Sequence, residues 1–276
     1  PMFNAFIAPF SAGSDHQVLS DPTIPTIDIP TPMLGQWPDK HYHTSADTVE
    51  RVDPFILHKS ASIAAGFSYA LANLNEDDAF LLLSKAYERF IRELVSVISE
   101  ERESVGLSDK LRHIAKVHQA GIRDVKRFFK QMPDVQTLDQ KIESFSTLID
   151  RQLEQFMAML YEGDQLEGAK EEDRDPALEY AYRPVRLYRS PIMRLIEYAL
   201  EDEEKMGAYR TYMKAHHERV PNARTYELLI QYYIDGERTL GDITRLLKLE
   251  SGCDDPAFVH AYVQLLMCFR IVRLSD

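Results

Sequence analysis

Residues 52–72, VDPFILHKSASIAAGFSYALA, decide how the chain is to be read. Asp53 offers a carboxylate to the orphan N–H groups of a first helical turn, and Pro54 sits where a missing N–H costs nothing. Beyond them Phe55, Ile56, Ile63, Ala64, Phe67, Ala70 and Leu71 recur at steps of three and four, the amphipathic spacing of a helix. The same rhythm continues downstream. Phe80, Leu83, Tyr87, Phe90, Leu94 and Ile98 predict a second helix. A third starts near Ser108-Asp109, runs through Leu111, Ile114, Val117, Val125 and Phe128, and stops at Pro133. A fourth follows Thr137 with Leu138, Ile142, Phe145, Leu148, Ile149, Leu153, Phe156, Met157 and Leu160. Four successive helices with short connections predict a bundle.

Further on, Glu162–Asp175 is charged and glycine-containing, the texture of a solvated loop. A piece rich in tyrosine and arginine follows, Tyr180–Arg189, and Ser190-Pro191 opens a helix expected to reach His216-His217. The last stretch places Tyr226, Leu229, Ile230 and Tyr233 on one helix face, closed by Asp235-Gly236. Thr239 caps a short helix, Asp255-Pro256 opens another, and Ile271–Leu274 reads as a strand. Helix, turn, helix, helix, strand is the order of a winged helix-turn-helix.

Upstream of residue 52 the texture is different. Eight of the 14 prolines fall in the first 54 residues, so loops and short strands are expected, with Phe3–Phe10 and Pro32–Gln36 as strand candidates. The balance of 32 basic against 44 acidic residues, a formal charge of −12, opposes binding to phosphate backbones or anionic lipid. The candidate recognition helix, Asp255–Phe269, offers only His260 and Gln264 for base edges, so no nucleic-acid partner is expected. Likewise no apolar run reaches membrane-spanning length, and no membrane partner is expected. Cys253 and Cys268, two cysteines in all, exclude a disulfide scaffold and suit a reducing, cytoplasmic setting.

Chemistry concentrates in Gly35–Pro54, GQWPDKHYHTSADTVERVDP. On an extended strand His41 and His43, at i and i+2, would share a face and converge on a metal, with Asp47 as a third donor. The bland alternative is a pair of surface histidines in a polar loop. The adjacent His216 and His217 point apart on a helix and are expected to face its C-terminal carbonyls. The tyrosines and arginines between 180 and 212 resemble a base-stacking surface, but the acidic background favours interface packing.

Gly13-Ser14-Asp15-His16, followed by Tyr42-His43-Thr44 with Asp47-Thr48 and then Val52-Asp53-Pro54, resembles the C-terminal part of the catalytic domain of di-zinc aminopeptidases, metallopeptidase family twenty-eight. The resemblance covers residues 3–72, and DGERTLGDITRLLKLESG near the C-terminus resembles a winged-helix appendage of some large bacterial members. It implies that His43 is a zinc ligand and that Tyr42 stands near the scissile carbonyl, its hydroxyl aimed at a developing oxyanion. It also implies that Asp15 and His16 form a loop beside the site, and that Asp47 and Thr48 hold the ligand loop in shape. No ligand role carries over to His41.

The family's remaining ligands and its Glu-Glu general base are expected upstream of the residue matched by His43, and none is present there. The chain therefore reads as the C-terminal portion of a larger peptide-hydrolysing enzyme. Two zinc ions are expected in the complete protein and at most weak zinc binding here. The expected fold is mostly α: a fragment of an α/β zinc-peptidase domain at residues 1–72, a helical bundle at 73–218 and a winged-helix-like domain at 219–276. A non-catalytic interaction or homo-oligomerisation module is the second reading.

Overall fold

The computed structural model describes residues 14–20, 29–36, 38–101, 106–129, 135–161, 182–188, 191–192 and 194–275. The chain is mostly helical and divides into two compact units, one spanning Pro38–Glu172, the other Pro1–Trp37 together with Asp173–Asp276. The expected strand at Phe3–Phe10 and loop at Glu162–Asp175 lie outside the described residues. Pro32–Gln36, the other strand candidate, has no strand structure. Its Pro32 supplies no ladder donor, and among the described residues no neighbouring strand holds it. A short helix, α1, spans His16–Leu19.

In the Pro38–Glu172 unit, α2 covers Pro54–Ala72, α3 Glu76–Glu101, α4 Leu107–Asp124 and α5 Val135–Leu160. The Asp53 carboxylate accepts hydrogen bonds from the backbone N–H groups of Phe55 (2.8 Å) and Ile56 (3.3 Å), the cap expected from sequence. The core is made where three stripes meet: Leu83, Phe90 and Leu94 from α3, Leu111, Ile114 and Ile122 from α4, and Ile142, Phe145 and Ile149 from α5. Lys110 and Glu101 form an ion pair between α4 and α3. The bundle has three helices, not the expected four, because α2 buries none of its residues. After α4 the chain tightens into a 3₁₀ turn, Val125–Phe129, which advances further per residue than an α-helix. That rotation buries Val125 and Phe129 and turns Phe128 outward, where α-helical spacing had placed it in the core.

The other unit has a core drawn from Leu195 to Val272, so the expected boundary at 218/219 falls within one packed cluster. Its elements are a 3₁₀ turn at Leu195–Tyr198, α6 at Glu203–Tyr212 continuing into a π-helical turn at Met213–His217, α7 at Ala223–Tyr233, α8 at Leu240–Ser251 and α9 at Pro256–Cys268. The single helix expected from Ser190-Pro191 to His217 is thus broken. Gln231 on α7 explains the start: its Oε1 accepts from Ile192 N–H (2.8 Å) and its Nε2 donates to Ile192 C=O (3.1 Å). With both backbone groups of Ile192 engaged by one buried side chain, a helix cannot use them. Asp202 then caps α6 by accepting from Lys205 N–H at 3.1 Å.

Thr239 and Asp242 close a reciprocal capping box at the start of α8. Gly236, with φ +88°, permits the turn between α7 and α8, and a Cβ there would lie 3.3 Å from Val185. Val185 belongs to β1, Pro184–Arg186, which pairs antiparallel with β2, Val272–Leu274, in the register Val185 to Arg273. The C-terminal strand was legible in the sequence, whereas its partner lies in the tyrosine- and arginine-rich piece. At the centre stands α9, capped by Asp255 on Phe258 N–H (2.9 Å), with Phe258, Val259, Tyr262, Val263, Leu265 and Leu266 all buried. Among the described residues no helix is long and apolar enough to cross a membrane.

Candidate functional site

The loop from Asp39 to Val52 is built from local hydrogen bonds. Asp39 Oδ1 accepts from His41 N–H at 2.8 Å, an Asx turn. Thr44 donates to His41 C=O twice, from its N–H (3.0 Å) and its hydroxyl (2.7 Å). Asp47 N–H then donates to Thr44 C=O at 3.2 Å. These turns place His43 in the left-handed region at φ +57°. The ring of Tyr42 stacks on that of His43, with centroids 3.8 Å apart and planes 19° from parallel. Tyr42 and His43 are both exposed.

This corrects the strand argument for a His41–His43 chelate. The segment is a succession of turns, so i and i+2 have no common strand face. Thr48 engages a neighbouring residue: its side-chain hydrogen bond, followed by Glu50's own backbone N–H, lowers the Glu50 carboxyl below its ordinary range. A 3₁₀ turn, Val49–Arg51, leads from there to Asp53. Asp47 and Thr48 are both solvent-facing.

Asp15 and His16 lie in the other unit, at the start of α1; Asp15 is exposed and His16 is buried. Leu19 C=O accepts from Ile29 N–H at 2.7 Å, and Ser20 donates its hydroxyl to Ile29 C=O at 3.3 Å, closing the loop that α1 begins. The sequence-expected residues therefore occur as two groups: Tyr42, His43, Asp47 and Thr48 in one loop, Asp15 and His16 in another.

Among the described residues no group of three or more His, Cys, Asp or Glu side chains is arranged to hold a metal ion. A structural or catalytic zinc takes at least three protein ligands. The donors described around His43 do not supply that number, so the described residues alone do not fit a zinc pair.

A second polar cluster, which sequence reasoning missed, lies in the Asp173–Asp276 segment. One oxygen of Glu227 on α7 accepts from His217 Nε2 (2.6 Å) and from the Tyr212 hydroxyl (2.8 Å). The Tyr262 hydroxyl accepts from Gln231 Nε2 at 2.7 Å. Burial, followed by the Glu227 charge, raises the Tyr212 phenol, and burial likewise raises that of Tyr262. Both stay protonated, so Tyr212 acts as a donor to Glu227. His217 meets a side-chain carboxylate and not the helix carbonyls expected from its position. His216 lies against Tyr212 and Arg219, and desolvation followed by the Arg219 charge lowers its imidazole from the ordinary range. The π-helical turn explains why the sequence did not reveal this: it inserts an extra residue and rotates the two histidines off α-helical spacing.

Comparison with protein-family models, with curated proteins and with solved structures finds no match to this chain.

Proposed function

We propose that this chain carries the last ligand loop and the following helix of a di-zinc aminopeptidase site, and that by itself it is catalytically silent. The observation that carries the reading is the loop itself. Tyr42, His43 and Thr44, with Asp47 and Thr48, form one hydrogen-bonded turn structure that presents an exposed imidazole and a stacked phenol. A neutral imidazole so displayed is a competent zinc ligand, and a phenol beside it suits an oxyanion. The remaining ligands and the general base would come from polypeptide outside this sequence.

A zinc pair supplies a water nucleophile and carbonyl polarisation when it is bound. This chain's own contribution is narrower. It holds the His43 ring against Tyr42 and fixes the backbone that carries both. The C-terminal order α7, α8, α9, β2 supports a winged-helix-like module used for protein contacts. Its α9 spends its apolar face on the core and offers no Arg or Lys for phosphate contacts.

The experiment compares zinc content and peptidase activity of this chain with those of the product of a reading frame extended upstream. The extended product is expected to bind two zinc ions and cleave N-terminal residues, and His43→Ala in it to lose zinc and activity together. Aminopeptidase activity in the 276-residue chain alone would sink the proposal. An extended product with zinc but no dependence on His43 would sink the assignment of the ligand.

A further inference from the structure

Helices α4 and α5 carry rows of opposite charge along one seam of the bundle. At about 100° per residue, Arg112, Lys116 and Arg123 fall within about 40° of one another on α4, and Glu143, Asp150 and Glu154 do the same on α5. All six are exposed. Two contacts set one helix against the other: Lys126 Nζ meets Asp139 Oδ1 at 2.7 Å, and Gln119 Nε2 donates to Asp150 Oδ1 at 2.7 Å. The helices are thus antiparallel. From Arg123 back to Arg112 the cations are seven and then four residues apart, and from Glu143 onward the carboxylates are also seven and then four apart. Counted from the two contacts, Arg123 stands level with Glu143, Lys116 with Asp150 and Arg112 with Glu154, each to within about one helical turn. Among the described residues, Arg112, Lys116 and Arg123 enter no ion pair, whereas their neighbours Lys110, Lys126 and Arg127 each do. Within one copy, therefore, no ion pair described joins the two rows.

We propose that this face joins two copies of the chain about a two-fold axis parallel to α4 and α5. Rotation about such an axis sets α4 of each copy over α5 of the other and leaves every residue at its own level. The row Arg123, Lys116, Arg112 of one copy then meets the row Glu143, Asp150, Glu154 of the second, and the reverse holds on the far side of the axis. A two-fold running across the helices would instead lay like charges on each other. One surface supplies both charges in matching order and at matching level, which selects a second copy over a partner of a single charge. Exposed ion pairs are individually weak, so the association rests on the whole set, is modest in affinity and is sensitive to salt. The formal charge of −12 opposes it only at long range, where ordinary salt screens it. The pairing goes beyond the zinc reading and does not depend on it.

The test is sedimentation equilibrium on the full chain from about 10 to about 500 μM, the range of a weak dimer. In about 0.1 M salt the wild-type mass is expected to rise towards twice the monomer value. In about 1 M salt, where the screening length falls from ~10 to ~3 Å, the dimer should weaken at least tenfold. Arg112→Glu and Glu154→Lys each set like charges against each other, and each should weaken the homodimer at least tenfold with circular dichroism unchanged. Mixed in equal amounts, the two variants should associate with each other at wild-type strength, because the two reversals face each other on one side of the axis. A purely structural role for either residue would not give that rescue between chains. A wild-type chain that stays monomeric at about 500 μM overturns the proposal. So does a mixture that associates no better than either variant alone.

Discussion

Helices α2 and α9 make an instructive pair. Each opens on an Asp-Pro dipeptide, each Asp accepts hydrogen bonds from the first-turn N–H groups, and each continues into a strongly apolar run. Their fates are opposite. Six apolar side chains of α9 are buried at the centre of its unit, whereas α2 has none buried. Capping and apolar composition therefore specify that a helix forms. They do not specify what covers it. The coverage of α9 comes from α8, the helix just before it, and from α6 and α7 farther back in the chain, with Gln231 tying α7 to Tyr262 and to Ile192.

The largest expected contrast lies in core truncation. Phe258→Ala should destabilise its unit by about 3–5 kcal/mol, the cost of a large cavity in a closed core. Phe67→Ala should change the stability of the monomer by no more than about 0.5 kcal/mol, since it removes no buried contact. Urea unfolding of the full chain reads both. Equal losses would break the comparison.

The caps offer a smaller and sharper contrast. Asp255→Ala should cost about 1 kcal/mol of unfolding free energy, because a core helix transmits the loss of its cap. It also releases Arg219, which pairs with Asp255 at 2.7 Å. Asp53→Ala removes the same kind of cap, yet it should lower only the helical content, with no shift in the bundle's unfolding midpoint. A midpoint shift would mean that α2 is coupled to the three-helix core after all.

The smallest effect concerns His216. Its folded-state pKa is lowered from the ordinary 6.5 by desolvation and then by Arg219. A group depressed on folding favours the folded state while deprotonated. Its contribution is therefore present above the ordinary value and lost as pH falls through the folded one. The residue is half-buried and partly screened by solvent, so the slope is shallow. His216→Gln should flatten the stability–pH curve of the Asp173–Asp276 segment below about pH 6.5, measured by unfolding midpoints. An unchanged curve would remove His216 from the account.

Much of the secondary structure was legible because it rests on local chemistry. Asp53, Thr239 and Asp255 cap where a short side chain can reach the next N–H groups, and Gly236 turns where φ must be positive. Other expectations differ from the structure, some for local reasons that composition does not reveal and one for a long-range reason. Phe128 was assigned inward because a 3₁₀ turn is indistinguishable from an α-turn by composition alone. The helix expected from Ser190 was broken by Gln231, 39 residues away from Ile192. His41 and His43 were aligned on an imagined strand, whereas Asp39 and Thr44 fold that segment into turns.

The candidate site divides in the same way. Residue types and order in Tyr42–Thr48 were readable and suggested the zinc resemblance. The cluster of Tyr212, His217 and Glu227 was not, since it depends on a π-helical turn and on the docking of α7.

The sequence by itself determined where helices start and stop and which of their faces are apolar, because caps, prolines and three-to-four spacing act within one or two turns. Only the tertiary structure decided which apolar faces are covered. Burial is a property of pairs of surfaces, and two helices as alike as α2 and α9 differ only in what the rest of the chain brings against them.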